Sequence, residues 1–143
     1  MNIHSSTNLP AVLTSGKLPV VAAPLFIISV PDLVIAQCKA GVIGSFPALN
    51  AREKEGEPIE LERWLKRITE ELDRHNQENP DNPAAPFAVN QICHGSNDRL
   101  MADMETCVKH EVPIIITSLR PPSEVVEAAH SLSLIHISEP TRL

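Results

Sequence analysis

Residues 18–45, LPVVAAPLFIISVPDLVIAQCKAGVIGS, constrain the fold more than any other stretch. Val20-Val21-Ala22-Ala23 is a short apolar run without a polar residue, the pattern of a strand buried on both faces. Pro24 ends it, because proline has no N–H for a ladder. Ser29 stands three residues before Asp32, which suits an N-cap with an acidic first turn. Leu33, Val34, Ala36, Gln37 and Cys38 carry a helix on to Ala40. Gly41 takes the left-handed position after it, and Val42-Ile43-Gly44-Ser45 opens a second apolar strand. Two short buried strands joined by a helix make a right-handed βαβ unit with parallel strands.

The rest of the chain repeats this theme. Leu61, Trp64, Leu65, Ile68 and Leu72 form one apolar stripe and predict a helix over 60–79. Trp64 lies in the middle of the stripe, so it reads as core rather than as a ligand-stacking group. Glu62 with Lys66 and Glu70 with Arg74 are i,i+4 pairs of the favoured polarity. Three prolines within 79–86 stop the helix. Phe87-Ala88-Val89-Asn90-Gln91-Ile92 is a third strand, and Asn97 reads as the N-cap of a helix reaching His110. Val112 to Thr117, apolar and largely β-branched, is the fourth strand. A short helix over 123–131 turns Val125, Val126 and Ala129 inward. Strands are thus expected to begin near Val20, Val42, Phe87 and Ile114, in sequential parallel order. The charged connection 46–58 reads as a solvated loop, with a lid as the alternative. Ala11-Val12-Leu13 reads as a helical turn or as a strand that plugs the bottom of a barrel.

The opening strand, helix and turn resemble the start of the nitronate monooxygenase family, also called 2-nitropropane dioxygenase-like. The residues that carry the likeness are Ala23-Pro24-Leu25, Ala40-Gly41-Val42-Ile43-Gly44-Ser45, Pro47-Ala48-Leu49-Asn50, Phe87-Ala88-Val89-Asn90, and Val112 through Ser118. Leu25 stands where the family has methionine, a swap that nearly conserves volume. The resemblance covers about 18–131 and implies an α/β fold. That fold is a partial TIM (β/α)8 barrel of about four βα units, since the closed barrel needs about 250 residues and this chain has 143. It divides the chain into an N-terminal extension (1–17), the N-terminal half of an FMN-dependent barrel (18–131), and a tail (132–143). The tail, LSLIHISEPTRL, resembles a translated sequencing-library adapter and is read as non-native. Its apolar part, Leu134-Ile135-His136-Ile137, is expected to pair where a fifth strand belongs.

Active sites of such barrels lie at the C-terminal ends of the strands. The resemblance implies FMN at that rim, with cofactor-binding residues Ala23, Pro24, Leu25, Asn90, Thr117 and Ser118. Small residues would let the backbone of Ala23, Pro24 and Leu25 approach the ring, and the Leu25 N–H would meet its polar edge. The Asn90 amide would donate and accept, and Thr117 and Ser118 would add hydroxyls. Read without the resemblance, Asn90 could equally satisfy neighbouring backbone. The implied activity is oxidation of an alkyl nitronate with O2 to a carbonyl compound and nitrite. The alternatives are a related FMN-dependent enoyl-ACP reductase-like barrel and a catalytically inactive fragment. The family's catalytic histidine falls outside the matched stretch, so no catalytic residue is assigned.

His94 lacks partners at ligand spacing and reads as a loop histidine, and no metal is expected. His75, His110 and His130 are expected to be exposed on helices or at their ends. There is no GxGxxG, P-loop or Ser/His/Asp arrangement, and no phosphate-binding glycine-rich stretch. A net charge of −6 gives no reason for a nucleic-acid or anionic-membrane partner. One Trp, three Phe and no Tyr leave nothing for a base-stacking platform. Three cysteines without CxxC spacing point to a reduced, cytoplasmic chain. The expected partners are therefore a small nitronate and O2. A half-barrel would also leave Ile114, Ile115 and Ile116 partly uncovered and would self-associate.

Overall fold

The computed structural model describes residues 11–14, 18–52, 59–119, 123, 127 and 135–138. Its elements in chain order are α1 (Ala11–Thr14), α2 (Pro31–Lys39), β1 (Gly44–Pro47), a 3-10 turn (Ala48–Asn50), α3 (Ile59–Glu78), β2 (Phe87–Cys93), α4 (Leu100–Lys109), β3 (Ile114–Leu119) and β4 (Ile135–Ser138). The four strands form one sheet in the order β1-β2-β3-β4. Every neighbouring pair is parallel. This is the open sheet of an incomplete (β/α)8 barrel. β4 pairs with β3 from Ile114↔Ile135 to Thr117↔Ser138, in the place expected for a fifth strand. Of the helix read over 123–131, only Ser123 and Glu127 are described, both in helical conformation; Val125, Val126 and Ala129 lie outside the described residues. So do residues 53–58 of the charged connection.

The first predicted strand is shorter than its apolar run suggests. Only Val21 pairs, in a parallel bridge with Ile43. Ala22 N–H donates to the Ile43 carbonyl at 2.8 Å and Ile43 N–H to that of Val20 at 3.0 Å. Val20 is 46% exposed and Val21 36%, so this strand is not buried on both faces. Among the described residues it stands at the edge of the sheet, paired on one side only.

α2 begins at Pro31, which suits the first helical position because its missing N–H would be unpaired there anyway. Its N-cap is Val30, not Ser29. Ser29 is drawn away by the preceding loop, where its Oγ accepts the Leu25 N–H at 2.9 Å. The helix ends in a Schellman motif. Gly41 N–H donates to the Cys38 carbonyl, Val42 N–H to that of Gln37, and Gly41 has φ 90°. α4 ends in the same way, with Glu111 N–H on Val108 and Val112 N–H on Cys107, although Glu111 at φ 50° is not glycine. The N-cap of α4 is Arg99, two residues beyond the predicted Asn97. Asn97 instead donates to the Ile92 carbonyl at 2.9 Å and accepts the Arg99 N–H at 3.3 Å. The chain turns there before the helix starts.

Two apolar layers hold the sheet. The larger lies between sheet and helices and includes Val34, Cys38, Phe46, Leu61, Leu65, Ile68, Val89, Met104, Cys107 and Ile115. Trp64 packs against it, its ring tilted against Phe46 at 5.5 Å between centroids, and its Nε1–H donates to Glu60. The smaller layer, on the opposite face, joins Ile43, Ala85, Ala88, Ile114 and Ile116, with Val12 and Leu13 packed against it. α1 therefore plugs the N-terminal end of the sheet as a helical turn, not as the alternative strand. Ile114, Ile115 and Ile116 are buried, not partly uncovered. The plug contributes to the inner layer, Ile115 faces the helices, and β4 pairs along the outer edge of β3.

The surface of α3 carries the ion pairs. Glu62 meets Lys66 at 2.9 Å as predicted, and Lys109 at 3.2 Å. These two lysines hold its carboxyl down to about 2. Arg74 pairs with Glu71, one position from the predicted Glu70, and Glu71 also reaches Lys39 on α2. His75 and His110 are half-buried rather than exposed. The His75 Nε2 lies 3.1 Å from the Asn82 carbonyl, and the His110 Nε2 lies 3.4 Å from Glu62. Among the described residues, no helix is long and apolar enough to cross a membrane.

Candidate functional site

Parallel strands bring their C-terminal ends to one rim. Pro47 of β1 is level with Asn90 of β2, and Asn90 with Ile116 of β3. Side chains alternate along each strand. Asn90 therefore shares a face with Ala88, in the inner layer, and Ser118 shares it with Ile114 and Ile116. The two meet: Asn90 Nδ2 donates to Ser118 Oγ at 2.5 Å. With its oxygen accepting that bond, the Ser118 hydroxyl keeps its own proton to donate elsewhere. Asn90 is only 4% exposed, so its amide is desolvated and held. Thr117 is fully buried and lies on the other face, with Ile115 towards the helices. The structure thus brings Asn90 and Ser118 together and sets Thr117 apart from them.

The loop after the edge strand completes the rim. Ala23 and Leu25 are exposed and Pro24 half-buried. Ser45 Oγ–H donates to the Ala22 carbonyl and ties the loop's start to β1. The Leu25 N–H is already given to Ser29, and its carbonyl accepts both the Ser29 N–H at 3.0 Å and Asn50 Nδ2 at 3.0 Å. Asn50 also donates to the Ser29 carbonyl at 2.9 Å and accepts the Ile27 N–H at 3.0 Å. One buried side chain thus organises five residues of loop. Ile27 has φ 66°, a conformation a β-branched residue rarely adopts, and Leu119 at the end of β3 has the same φ. Among the described residues, two of the three non-glycine positive φ values therefore stand at the rim, and strain of this kind collects at functional sites.

Sequence reasoning placed Asn50 in the family-like stretch but gave it no role. Its signal was an asparagine just past a strand end, a residue type whose amide serves two carbonyls and one N–H at once. Arg99 was missed as well. Its guanidinium spans the Ala51 carbonyl at 2.9 Å and the fully buried carboxylate of Asp103 at 3.0 Å, joining the loop after β1 to α4.

None of the six candidate residues titrates, so the rim offers donors, acceptors and apolar surface rather than acid–base chemistry. Thiol chemistry is also remote. Burial pushes Cys38 up to about 11 and Cys107 up to about 12, and raises Cys93. His94 is exposed, with Nδ1 2.8 Å from Ser96 Oγ. Among the described residues no group of His, Cys, Asp and Glu is arranged to hold a metal. A groove of about 290 Å³ lined by Thr69, Leu72, Asp73, Asn76, Pro86, Phe87 and Pro113 lies at the opposite end of the sheet. In barrels that end serves stability rather than chemistry.

The polar pair on the inner face and the adjoining loop fit one side of a flat, partly polar ring such as that of FMN. Asn90 and Ser118 supply hydrogen bonds, and the short side chains of Ala23 and Pro24 allow close approach. The Leu25 N–H does not fit the expected role, because Ser29 already accepts it.

No family model matches the sequence, and no curated protein matches it. The fold does have relatives. FabK from Thermotoga maritima superposes with a TM-score of 0.69 at 16% identity, over 92% of this chain and 37% of FabK. Its M276A mutant gives the same TM-score and identity over 90% of this chain and 37% of that one. The chain thus spans well under half the length of the structures it resembles, and what it shares with them is the fold of a partial (β/α)8 barrel.

Proposed function

We propose that this chain is the N-terminal part of an FMN-dependent oxidoreductase barrel of the nitronate monooxygenase-like kind, whose whole protein oxidises an alkyl nitronate with O2 to a carbonyl compound and nitrite. The observation that carries the reading is the Asn90–Ser118 pair, uncharged and on the inner face at the C-terminal ends of neighbouring parallel strands, with Asn90 buried and Ser118 half-buried. FMN, when bound, supplies the redox chemistry. Asn90 and Ser118 would hold the ring's polar edge, and the backbone of Ala23 and Pro24 would run beside it. Leu25 would contribute its side chain, while Thr117 would brace β3 from the helical side. No described residue is assigned a catalytic role. The three cysteines are free and buried, which supports a reducing, cytoplasmic setting.

The likeness to FabK favours a second reading, an FMN-dependent enoyl-ACP reductase-like barrel. A catalytically inactive fragment is the alternative from another class. One titration tests the flavin reading. FMN is added to the purified chain while flavin fluorescence is followed, with nitrite release from a nitronate and reduction of an enoyl thioester assayed in parallel. Weak binding without turnover is expected, because half a site holds the ring on one side only. A tight stoichiometric complex with nitrite release would show that these βα units suffice. Absence of any interaction at millimolar FMN would remove the flavin reading.

A further inference from the structure

The loop at 25–28 is unusual in what it exposes. Leu25, Phe26, Ile27 and Ile28 are 46%, 63%, 61% and 62% exposed, four consecutive large apolar side chains. Such a segment would ordinarily collapse onto the nearest apolar surface. Here it is held out. Asn50 bonds to Leu25, Ile27 and Ser29, and Ser29 Oγ accepts the Leu25 N–H. Ile27 is kept in the left-handed region at φ 66°, which its β-branched side chain resists. Asn50 itself is 8% exposed, and its 3-10 turn packs against β2, the strand that carries Asn90. The clamp is therefore anchored to the strand that carries Asn90.

We infer that Asn50 is a positioning residue: it locks the 25–29 loop open so that its apolar side chains are held out at the same strand-end rim as the Asn90–Ser118 pair, as a wall against which the isoalloxazine ring docks. This rests on the flavin reading for its ligand, but the lock itself does not. A loop fixed before binding loses little freedom when the ring arrives, which raises affinity without adding a contact. The amide is needed rather than a carboxylate. At Asn50, Nδ2 faces two carbonyls and Oδ1 faces one N–H. An aspartate would turn a negative oxygen towards the Leu25 and Ser29 carbonyls, and that repulsion would push the carboxylate out of the loop, so that the Oδ1 contact to the Ile27 N–H is lost with it. Protonation would restore one donor.

The test is amide hydrogen exchange and NMR of the full chain, wild type against Asn50→Asp and Ser29→Ala, with and without FMN. In the wild type the amides of Leu25, Ile27 and Ser29 exchange slowly. In Asn50→Asp at neutral pH, Ile27 and Ser29 exchange at least about tenfold faster, the factor expected for one lost hydrogen bond. Lowering the pH until the new carboxyl protonates restores part of the protection. Ser29→Ala, which leaves Asn50 in place, frees Leu25 but not Ile27. Unchanged protection at Ile27 in Asn50→Asp overturns the lock. On adding FMN, shifts at Leu25 to Ser29 together with Asn90 and Ser118 in the wild type, weakened in Asn50→Asp, support the wall. Shifts at Asn90 and Ser118 alone overturn the wall and leave the flavin reading standing. No shifts at either place overturn both, with the exchange data still deciding the lock.

Discussion

At the scale of single residues, two helix ends built alike differ in one atom group. α2 closes with Gly41 at φ 90° and α4 with Glu111 at φ 50°, through the same pair of backbone bonds. A left-handed conformation crowds a Cβ against the following carbonyl and costs an L-residue about 1–2 kcal/mol. Glycine escapes that cost but gives back part of it through the freer unfolded chain. Glu111→Gly should therefore stabilise the chain by about 0.5–1 kcal/mol, since glycine at such a cap carries no Cβ penalty. Urea denaturation of the two proteins checks it, and a loss of stability would mean that the Glu111 side chain makes a contact worth more than its strain. Ile27 is the informative contrast. Its φ is also positive, but it is held by a side chain from another element rather than by a helix end.

At the scale of elements, α2 and β1 approach closely at Gly44. A Cβ placed on Gly44 would lie 2.6 Å from the Val34 carbonyl oxygen and 3.1 Å from both Val34 Cα and Cys38 Sγ. The nearest of these atoms belong to helix backbone, which cannot swing aside. The Gly44 N–H also bonds to Cys38 Sγ at 3.4 Å. Gly44→Ala should cost about 1–3 kcal/mol, the range for overpacked cores, and should lower the thermal midpoint. Gly95 provides the control, because a Cβ there meets nothing within 4 Å. Gly95→Ala should leave the midpoint unchanged within error. Equal effects of the two substitutions would mean that α2 does not press on β1 as described.

At the scale of the whole molecule, the sheet has an unfinished side. The strand around Val21 makes a single bridge, and Leu18, Val20 and Val21 are exposed beside it. An edge with free N–H and C=O groups and apolar side chains is a template for another strand. The chain should therefore self-associate, with a sedimentation-derived mass that rises with concentration. Val20→Lys, which puts a charge on that edge, should shift the mass towards the monomer. A single monomeric species at all concentrations, in both proteins, would show that the edge is already protected.

The succession of parallel strands and helices was legible in the sequence, because each element carries its own period. The stripe of three leucines and one isoleucine in α3 has the helical spacing, and β3 is a short, largely β-branched run, the composition and length of a buried strand. The Schellman glycine at Gly41 was legible for the same reason: its conformation is a local demand. What local pattern could not decide was which groups would meet across distance. Val20 to Ala23 looked doubly buried, since apolarity reports what a strand can bury and not whether a neighbour stands on both sides. Ser29 looked like a cap until a loop N–H four residues away claimed it. Thr117 and Ser118 are adjacent in sequence, yet strand alternation sends them to opposite faces and leaves only Ser118 beside Asn90. Asn50 is one amide among several in the sequence. Only the folded chain brings Leu25, Ile27 and Ser29 around it, because hydrogen bonds between residues more than twenty positions apart form after the elements have packed.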